Sequence, residues 1–449
     1  MKKQTEPSWQ ALERRAMQPQ IDRFIMTNAF TLRLAPAIAA LACLLPADPV
    51  TPNCLDAAEM PRVAPRDVGL SSEKLQKVKS IVQAQVDKKR IAGAVVLVAR
   101  HGKVAFLESF GKLDLKSGKS MPPDAIFRFY SMTKPITSVA ALMLVEAGKL
   151  KLDDPVGNYL AELKELRVYA GKDQTVPAKR AVTIRDLMRH TSGFTYGMPN
   201  GSPVDQLYIK NKIDEGTLSD LVRKLGTLPL QDQPGTKFNY SYSTDVLGRV
   251  IEVVSGEPLD KFFRERIFLP LEMRDTGFSV ADSQLERFAT GYARAKGGLR
   301  VIDAPINSVY RKHPISLSGG GGLVSTARDY CRFCQMLLNE GELNGTRLLR
   351  RDTIALMTSN QLPAEALPMK LGGFALPEHG FGLGVMVRQQ SGSGPARSDG
   401  EYSWSGAAST FFWVAPKPQL IVIILQQIMP LDINLQLTLK PLIYSALTD

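Results

Sequence analysis

Apolar residues recur at intervals of three and four after Ser71 and Ser72, which is the spacing of one face of an α-helix. Either serine can cap the helix start, because its side-chain oxygen accepts a hydrogen bond from a free backbone N–H. The apolar positions are Leu75, Val78, Ile81, Val82 and Val86. Only one face of this helix is apolar, so we expect it to pack on another element and the folded part to begin near residue 66.

Two pairs of apolar runs predict β-hairpins at opposite ends of the chain. Residues 94–99 and 104–107 flank Arg100-His101-Gly102-Lys103, whose glycine suits a tight turn. Residues 404–414 and 420–426 flank a second turn that contains two prolines. Strands at both ends of a chain, with helical patterns between them, imply that the two ends share one sheet.

These patterns together predict an α+β fold with a central antiparallel sheet flanked by helices. The sheet part would comprise residues 66–130 and 291–449, and it would include a closing helix at 435–447. Residues 131–290 would form a helical subdomain. We therefore expect residues 66–449 to form the functional domain.

The first 65 residues differ from the rest of the chain. Residues 34–45 form an apolar run that is too short and too close to proline for a comfortable membrane span. Starting from Met26, residues 26–47 have the order of a signal peptide, with Arg33, an apolar core and a small-residue exit. This order predicts export, to the periplasm or outside the cell, and is compatible with loose membrane association. A disordered extension on a cytoplasmic protein is the alternative.

Composition excludes several classes of function. With 449 residues, 44% hydrophobic and 22% charged, the chain is ordinary globular protein. The net charge of +12 is not gathered into basic clusters interleaved with aromatic residues, so we predict no nucleic-acid binding. The four histidines lack the spacing of a zinc site, so neither a metal nor another cofactor is predicted. A small molecule remains the expected partner.

Two motif-like stretches in the C-terminal half have structural interpretations. Gly319-Gly320-Gly321-Gly322 precedes Thr326, which can cap a helix, and predicts a flexible loop rather than a phosphate cradle. Cys331 and Cys334 fall within that helix and not at its start, where a thiolate would be stabilised. We expect both cysteines to serve as small apolar packing residues, and no disulfide framework is evident.

The strongest candidate for chemistry is Ser131-Met132-Thr133-Lys134-Pro135, which enters an apolar run that ends at Gly148. Pro135 is tolerated only near a helix start, so Ser131 should lie at a helix N-terminus. A spacing of three residues places Ser131 and Lys134 on one face, with the ammonium within reach of the hydroxyl. These are the parts of a serine nucleophile that is activated without histidine.

Two further stretches could complete such a site. Tyr240 lies on a turn before a predicted helix, where its phenol can reach a cleft and, next to Lys134, act as a general base. Trp404-Ser405-Gly406-Ala407 opens a strand whose edge could supply a backbone N–H to an oxyanion hole, and Gly406 would let a substrate approach closely.

In this order the three stretches resemble the serine β-lactamase and penicillin-binding-protein superfamily, and most of all the family VIII carboxylesterases, which are similar to class C β-lactamases. The resemblance covers about residues 66–445 and includes Leu187-Met188-Arg189-His190-Thr191-Ser192-Gly193. It implies that Ser131 is the nucleophile, Lys134 its activating partner and Tyr240 the general acid/base. It also implies that the amides of Ser131 and Ala407 form the oxyanion hole, and that His190 belongs to a structural turn. The expected fold is that of β-lactamases and transpeptidases.

The chain departs from the β-lactamase pattern at two positions. Tyr242 stands where β-lactamases have the asparagine of Tyr-x-Asn, and Trp404 stands where they have the lysine of Lys-Thr-Gly. Tryptophan in place of that cation disfavours anionic substrates and suits neutral, apolar esters, as in the family VIII esterases. Tyr196 is a further candidate for lining the cleft.

The sequence thus predicts a serine carboxylesterase that cleaves short-chain esters through an acyl-Ser131 intermediate. A β-lactamase, a D-amino-acid peptidase and an acyltransferase of the same fold are alternatives. A relative that binds a ligand without catalysis is a further alternative, although such a protein would be expected to lose Ser131, Lys134 or Tyr240.

Overall fold

The computed structural model describes residues 60–372, 374–389 and 398–448. Helices in this part of the chain are α1 (Ser72–Asp87), α2 (Lys134–Glu146), α3 (Ile184–Met188), α4 (Pro203–Lys210), α5 (Leu218–Gly226), α6 (Ser243–Ser255), α7 (Leu259–Phe263), α8 (Ala327–Leu338), α9 (Arg351–Met357) and α10 (Asn434–Ser445). The N-terminal strands are β1 (Gly93–Arg100), β2 (Lys103–Gly111), β3 (Phe127–Arg128), β4 (Arg167–Gly171), β5 (Gln174–Pro177), β6 (Gly291–Ala295), β7 (Gly298–Asp303) and β8 (Val324–Ser325). Those that follow are β9 (Glu342–Leu343), β10 (Thr346–Arg347), β11 (Met369–Leu371), β12 (Phe374–Leu376), β13 (His379–Phe381), β14 (Met386–Arg388), β15 (Tyr402–Gly406), β16 (Thr410–Ala415), β17 (Leu420–Leu425) and β18 (Ile428–Met429).

A seven-stranded antiparallel sheet in the order β13-β14-β15-β16-β17-β1-β2 is the centre of the fold. The C-terminal strand β17 pairs with the N-terminal strand β1, with Val95 opposite Leu425 and Arg100 opposite Leu420. The predicted hairpin at 94–107 is β1-β2, and both ends of the chain share one sheet as predicted. The predicted α+β fold is confirmed.

The sheet separates two apolar layers. Alternate residues of β1 point to opposite faces, so Val95 and Leu97 enter one layer while Val96 and Val98 enter the other. Helices α1 and α10 cover the second layer, and α2 and α8 pack in the first. Burial on both faces explains why β1 and β17 are continuous apolar runs rather than alternating ones.

Helix α1 forms as its pattern predicts. Ser71 is the N-cap and accepts a hydrogen bond from the Lys74 N–H, while Leu75, Val78 and Val82 are buried. The cysteines of α8 are also as predicted. Both are free and buried, and burial raises the pKa of the Cys331 thiol to about 12, which keeps it unreactive.

One predicted strand is wrong. Residues 404–414 do not form a single strand but two, β15 and β16, joined by a tight turn at Ala407, Ala408 and Ser409. Ser409 adopts a left-handed backbone with φ of 64°, and its N–H donates to the Gly406 carbonyl. Small, uncharged residues neither interrupt a β pattern nor give an Asn-Gly type turn signal, so the reversal was not visible in the sequence.

The helices of residues 131–290 are α2 to α7, and the small hairpin β4-β5 lies among them. No helix among the described residues has both the length and the apolar character needed to cross a membrane. The proposed signal segment at 26–47 and the loose membrane association lie outside the described residues. Export, membrane association and the boundary of the helical subdomain stay predictions.

Candidate active site

The turn that carries Ser131 lies between β3 and α2. Residues Tyr130–Thr133 form a 3-10 turn, and the α-helix begins at Lys134 with Pro135 in its first turn. Tyr130 has a positive φ of 44°, a conformation that is strained for a residue with a bulky side chain. Ser131 is therefore presented at the start of α2, as predicted, by a backbone that the surrounding structure holds in place.

Lys134 is fully buried and lies beside Ser131. Its Nζ is 3.2 Å from Ser131 Oγ and donates to the carbonyl of Gly320 at 2.7 Å. The same ammonium lies 4.6 Å from the centre of the Tyr240 ring and 5.5 Å from that of Tyr196. A buried cation needs such partners, since an unpaired one would be strongly disfavoured. The ammonium thus contacts the serine hydroxyl and lies over the Tyr240 ring.

The glycine-rich loop is part of this site, which sequence reasoning missed. Besides the Gly320 carbonyl, the Gly319 carbonyl accepts from Thr137 Oγ1 at 2.6 Å. Asp245 Oδ1 accepts from the Gly320 N–H at 3.1 Å and from Ser318 Oγ at 2.5 Å. A Cβ on Gly320 would lie 2.4 Å from Asp245 Oδ2, so glycine permits this packing. The run of four glycines was the available signal, but its partners are remote in sequence.

Tyr240 lies three residues before the start of α6, within a group of aromatic rings. Its ring centre is 5.2 Å from that of Tyr196 and 5.3 Å from that of Trp404. Trp404 Nε1 donates to Tyr240 Oη at 3.3 Å. Tyr242, the N-cap residue of α6, has its ring centre 4.7 Å from that of Tyr196. The predicted residues Tyr196, Tyr240, Tyr242 and Trp404 are therefore brought together.

Tyr196 keeps its proton. Burial, followed by the proximity of Tyr240, raises the pKa of the Tyr196 phenol well above its usual 10. Tyr196 is therefore a neutral hydrogen-bonding group beside the lysine.

The end of β15 lies against the serine turn. A Cβ on Gly406 would lie 2.1 Å from the Phe129 carbonyl oxygen, so only glycine allows the strand to come this close. The Phe129 carbonyl also accepts from Thr410 Oγ1 at 3.4 Å. Ala407, next along the turn, packs with Tyr130 and Met429. Gly406 and Ala407 are thus beside the serine turn, as predicted.

Ser405 is positioned differently from its neighbour Trp404. Successive side chains of a strand point to opposite faces, and the cross-strand partner of Ser405 is Phe411, which belongs to the layer covered by α1 and α10. Trp404 belongs to the other layer, with Tyr240 packed against it. The Ser405 side chain is thus directed away from the aromatic group.

Comparisons with known proteins identify the family of this chain. A family model described as Beta-lactamase matches residues 78–435. The chain belongs to the Beta-lactamase family. The superfamily resemblance predicted from the motifs is confirmed. The match spans the large sheet, the serine turn, the Tyr240 turn and the end of β15.

Some relatives of this chain carry an activity in their name and others do not. Protein Rv1367c of Mycobacterium tuberculosis is 36% identical over 353 residues, which cover 76% of this chain and 86% of that protein. Esterase EstB of Burkholderia gladioli is 32% identical over 360 residues, covering 75% of this chain and 86% of EstB. The solved structure of EstCE1, described as a hydrolase with promiscuous acyltransferase activity, has a TM-score of 0.71 and 28% identity, and covers 83% of this chain and 98% of EstCE1. The chain is therefore a β-lactamase-fold hydrolase-family protein with esterase relatives.

His190 is buried between aromatic rings rather than paired with the serine. Its ring centre lies 4.8 Å from that of Tyr240 and 5.5 Å from that of Phe381, and its Nδ1 is 3.4 Å from Ser241 Oγ. Burial, assisted by the charge of Lys134, holds the pKa of His190 well below its usual 6.5. The imidazole is therefore neutral. It packs in the wall behind Tyr240.

Replacing His190 by asparagine is expected to affect stability rather than chemistry. Asparagine tolerates the positive φ of 56° at this position, but its smaller side chain leaves the aromatic contacts unfilled. We expect the free energy of unfolding to fall by about 1–3 kcal/mol and kcat/KM to stay within about tenfold of wild type. Urea unfolding and an ester assay measure the two quantities.

The pH dependence of stability provides a separate test of the same variant. Because the folded-state pKa of His190 is depressed, the unfolded chain binds one proton more than the folded chain below pH 6.5. Wild-type stability should therefore fall on acidification by about 1.4 kcal/mol per pH unit for this residue. His379, whose pKa burial lowers to about 4, adds a similar decrease in both proteins. Identical slopes for wild type and variant would contradict the assignment.

Proposed function

We propose that this protein is a serine carboxylesterase that hydrolyses short-chain, neutral esters through an acyl-Ser131 intermediate. The observation that carries the proposal is the buried Lys134 ammonium, which contacts Ser131 Oγ at 3.2 Å and lies 4.6 Å from the Tyr240 ring centre. This arrangement supports a path for the serine proton that needs no histidine or metal.

Lys134 and Tyr240 are proposed to move protons as one unit. Ser131 Oγ attacks the ester carbonyl carbon, and its proton passes to the Lys134–Tyr240 pair. When the tetrahedral intermediate collapses, the C–O bond to the alcohol breaks and Tyr240 returns the proton to the leaving oxygen. Water then attacks the acyl-serine by the same route in reverse, releasing the acid and restoring Ser131.

The negative oxygen of the tetrahedral intermediate needs hydrogen-bond donors on the side away from the Lys134–Tyr240 pair. We assign this role to the backbone N–H groups of Ser131 and Ala407. The close approach of Gly406 to the Phe129 carbonyl supports the assignment, because it holds the β15–β16 turn beside the serine turn. The positive end of α2 adds a favourable field at this point.

Trp404 is proposed to select uncharged substrates. Its indole N–H is directed to Tyr240 Oη at 3.3 Å, so the position contributes an apolar surface and no cation for a substrate carboxylate. Tyr196 and Tyr242 extend this aromatic surface. Such a wall favours neutral esters over anionic β-lactams and D-amino-acid peptides, which remain alternative substrates.

Acyl transfer to an alcohol other than water is a second candidate function. Two features favour it. The rings of Trp404, Tyr196 and His190 pack around the partly buried Tyr240, and this apolar surface suits the carbon chain of an alcohol better than it suits water. EstCE1, which has the same fold, is described as a hydrolase with promiscuous acyltransferase activity. Product analysis in the presence of added alcohols separates the two functions.

The assay that tests the proposal offers chromogenic acetyl and butyryl esters and a chromogenic cephalosporin side by side. We expect kcat/KM for the esters to exceed that for the cephalosporin by about 100-fold or more, a difference of roughly 3 kcal/mol in transition-state binding. Faster turnover of the cephalosporin would reject the ester assignment. Binding without turnover of either substrate would favour a non-catalytic relative.

A further inference from the structure

Asp245 connects helix α6, which follows Tyr240, to the glycine-rich loop that contacts Lys134. It lies in the first turn of α6, five residues after Tyr240, and is only 4% exposed. Its Oδ1 atom accepts hydrogen bonds from Ser318 Oγ and from the Gly320 N–H. The carbonyl of that same Gly320 accepts the hydrogen bond of Lys134 Nζ. One glycine residue therefore lies between a buried carboxyl group and the buried ammonium.

We propose that Asp245 is a positioning residue that holds Gly320 against Lys134 and whose carboxylate keeps the shared proton on Lys134. The inference rests on the proposed function, because it assigns Asp245 a part in tuning the Lys134–Tyr240 pair. Asp245 touches neither Ser131 nor the place of the reacting carbonyl, and it acts through Gly320 and through its charge.

The electrostatic surroundings of the carboxyl group support a functional role. Burial raises the pKa of Asp245, while the attraction of Lys134 and the hydrogen bond from Ser318 oppose this effect. If the group only had to join the loop to α6, a neutral hydrogen-bond acceptor would serve, and it would avoid the cost of burying a negative charge. What a neutral acceptor would lack is the attraction between a negative charge and the buried Lys134 ammonium.

The other groups that face the pair come from several elements. Around Lys134 they are Ser131 from the serine turn, Tyr196 and His190 from the loop after α3, Tyr240 from the turn before α6, and Asp245 itself. Tyr196 contacts both Tyr240 and Tyr242, and it also senses the charge of Asp245. Asp245 is the one carboxyl group among these groups. Removing its negative charge therefore changes the electrostatic field at the Lys134–Tyr240 pair more than removing any of the neutral groups would.

The critical variant is Asp245→Asn. An amide oxygen at the Oδ1 position can accept both existing hydrogen bonds, so the substitution removes the charge while the loop keeps its contacts. The Lys134–Tyr240 pair is inactive when it carries its full number of protons, because it then cannot accept the proton of Ser131. Without the nearby negative charge, this fully protonated form becomes less stable. We therefore expect the acid limb of the kcat/KM profile to move to lower pH by about one unit. A close charge shifts a pKa by about 1–3 units, and the expected shift is at the lower end of this range. The plateau should fall about tenfold.

Ser318→Ala is the matched control. It removes one of the two hydrogen bonds to Asp245 but keeps the charge, so the acid limb should stay in place even if the rate changes. Asp245→Ser, a second uncharged replacement, should reproduce the shift of the limb. Circular dichroism and thermal unfolding establish that each variant is folded.

The possible outcomes separate this inference from the proposed function. An unmoved acid limb in a folded neutral variant would overturn the inference while leaving the ester assignment intact. Failure of both neutral variants to fold would also overturn it, because the carboxylate would then hold the fold instead of tuning the pair. If wild type neither hydrolyses esters nor labels at Ser131 with a serine-reactive phosphonate, the proposed function itself fails.

Discussion

Replacing Ser131 by alanine is expected to reduce ester turnover by about 10⁴-fold or more, because no other group in the site can form the acyl intermediate. Stability should change by less than about 1 kcal/mol, since the lost hydroxyl accepts one hydrogen bond and Lys134 keeps its bond to Gly320. Initial rates with a chromogenic butyryl ester and urea unfolding measure the two effects.

A phosphonate that reacts with activated serines tests the same residue by mass. Wild-type protein should gain one adduct on the peptide that contains Ser131, and Ser131→Ala should gain none. Ser138→Ala is a matched control, because it removes a hydroxyl from α2 that is buried and has no hydrogen-bond partner within the described residues. An adduct on any other peptide, or retained activity in Ser131→Ala, would be incompatible with the proposed nucleophile.

Local patterns predicted the parts of the fold that depend on local chemistry. The cap of α1 at Ser71, the β1-β2 hairpin and the start of α2 near Pro135 all follow from residues close together in the sequence. The pairing of the two chain ends followed from the order of strands and helices. The approach of Lys134 to Ser131 required only a spacing of three residues.

The remaining features depend on contacts between distant residues. Lys134 and Gly320 are separated by 186 positions, and Asp245 and Gly320 by 75, so no local pattern indicates that they meet. The turn between β15 and β16 was missed for a different reason. Alanine and serine fit a strand as well as a turn, and the reversal becomes visible only when Gly406 lies against the Phe129 carbonyl.

The second large effect concerns Lys134 and Tyr240. Tyr240→Phe and Lys134→Ala should each lower kcat/KM by about 10³-fold or more, because each removes one half of the proposed proton path. The kcat/KM of the double variant should be no more than about tenfold below that of the less active single variant, since the effects of residues that act as a unit are not additive. Tyr159→Phe is a matched control, because it removes a phenol hydroxyl that is bonded to Asp154 outside the site.

The pH profile distinguishes this pair from a histidine-based mechanism. Because burial and the Lys134 charge keep the pKa of His190 well below 6.5, the imidazole cannot produce a kinetic limb near that pH. The limbs of kcat/KM should instead report macroscopic values that belong to the Lys134–Tyr240 pair. Near wild-type activity in a folded Tyr240→Phe protein would reject the mechanism. So would a double variant whose loss equals the product of the two single losses, because independent groups multiply their effects whereas a shared proton path can be broken only once.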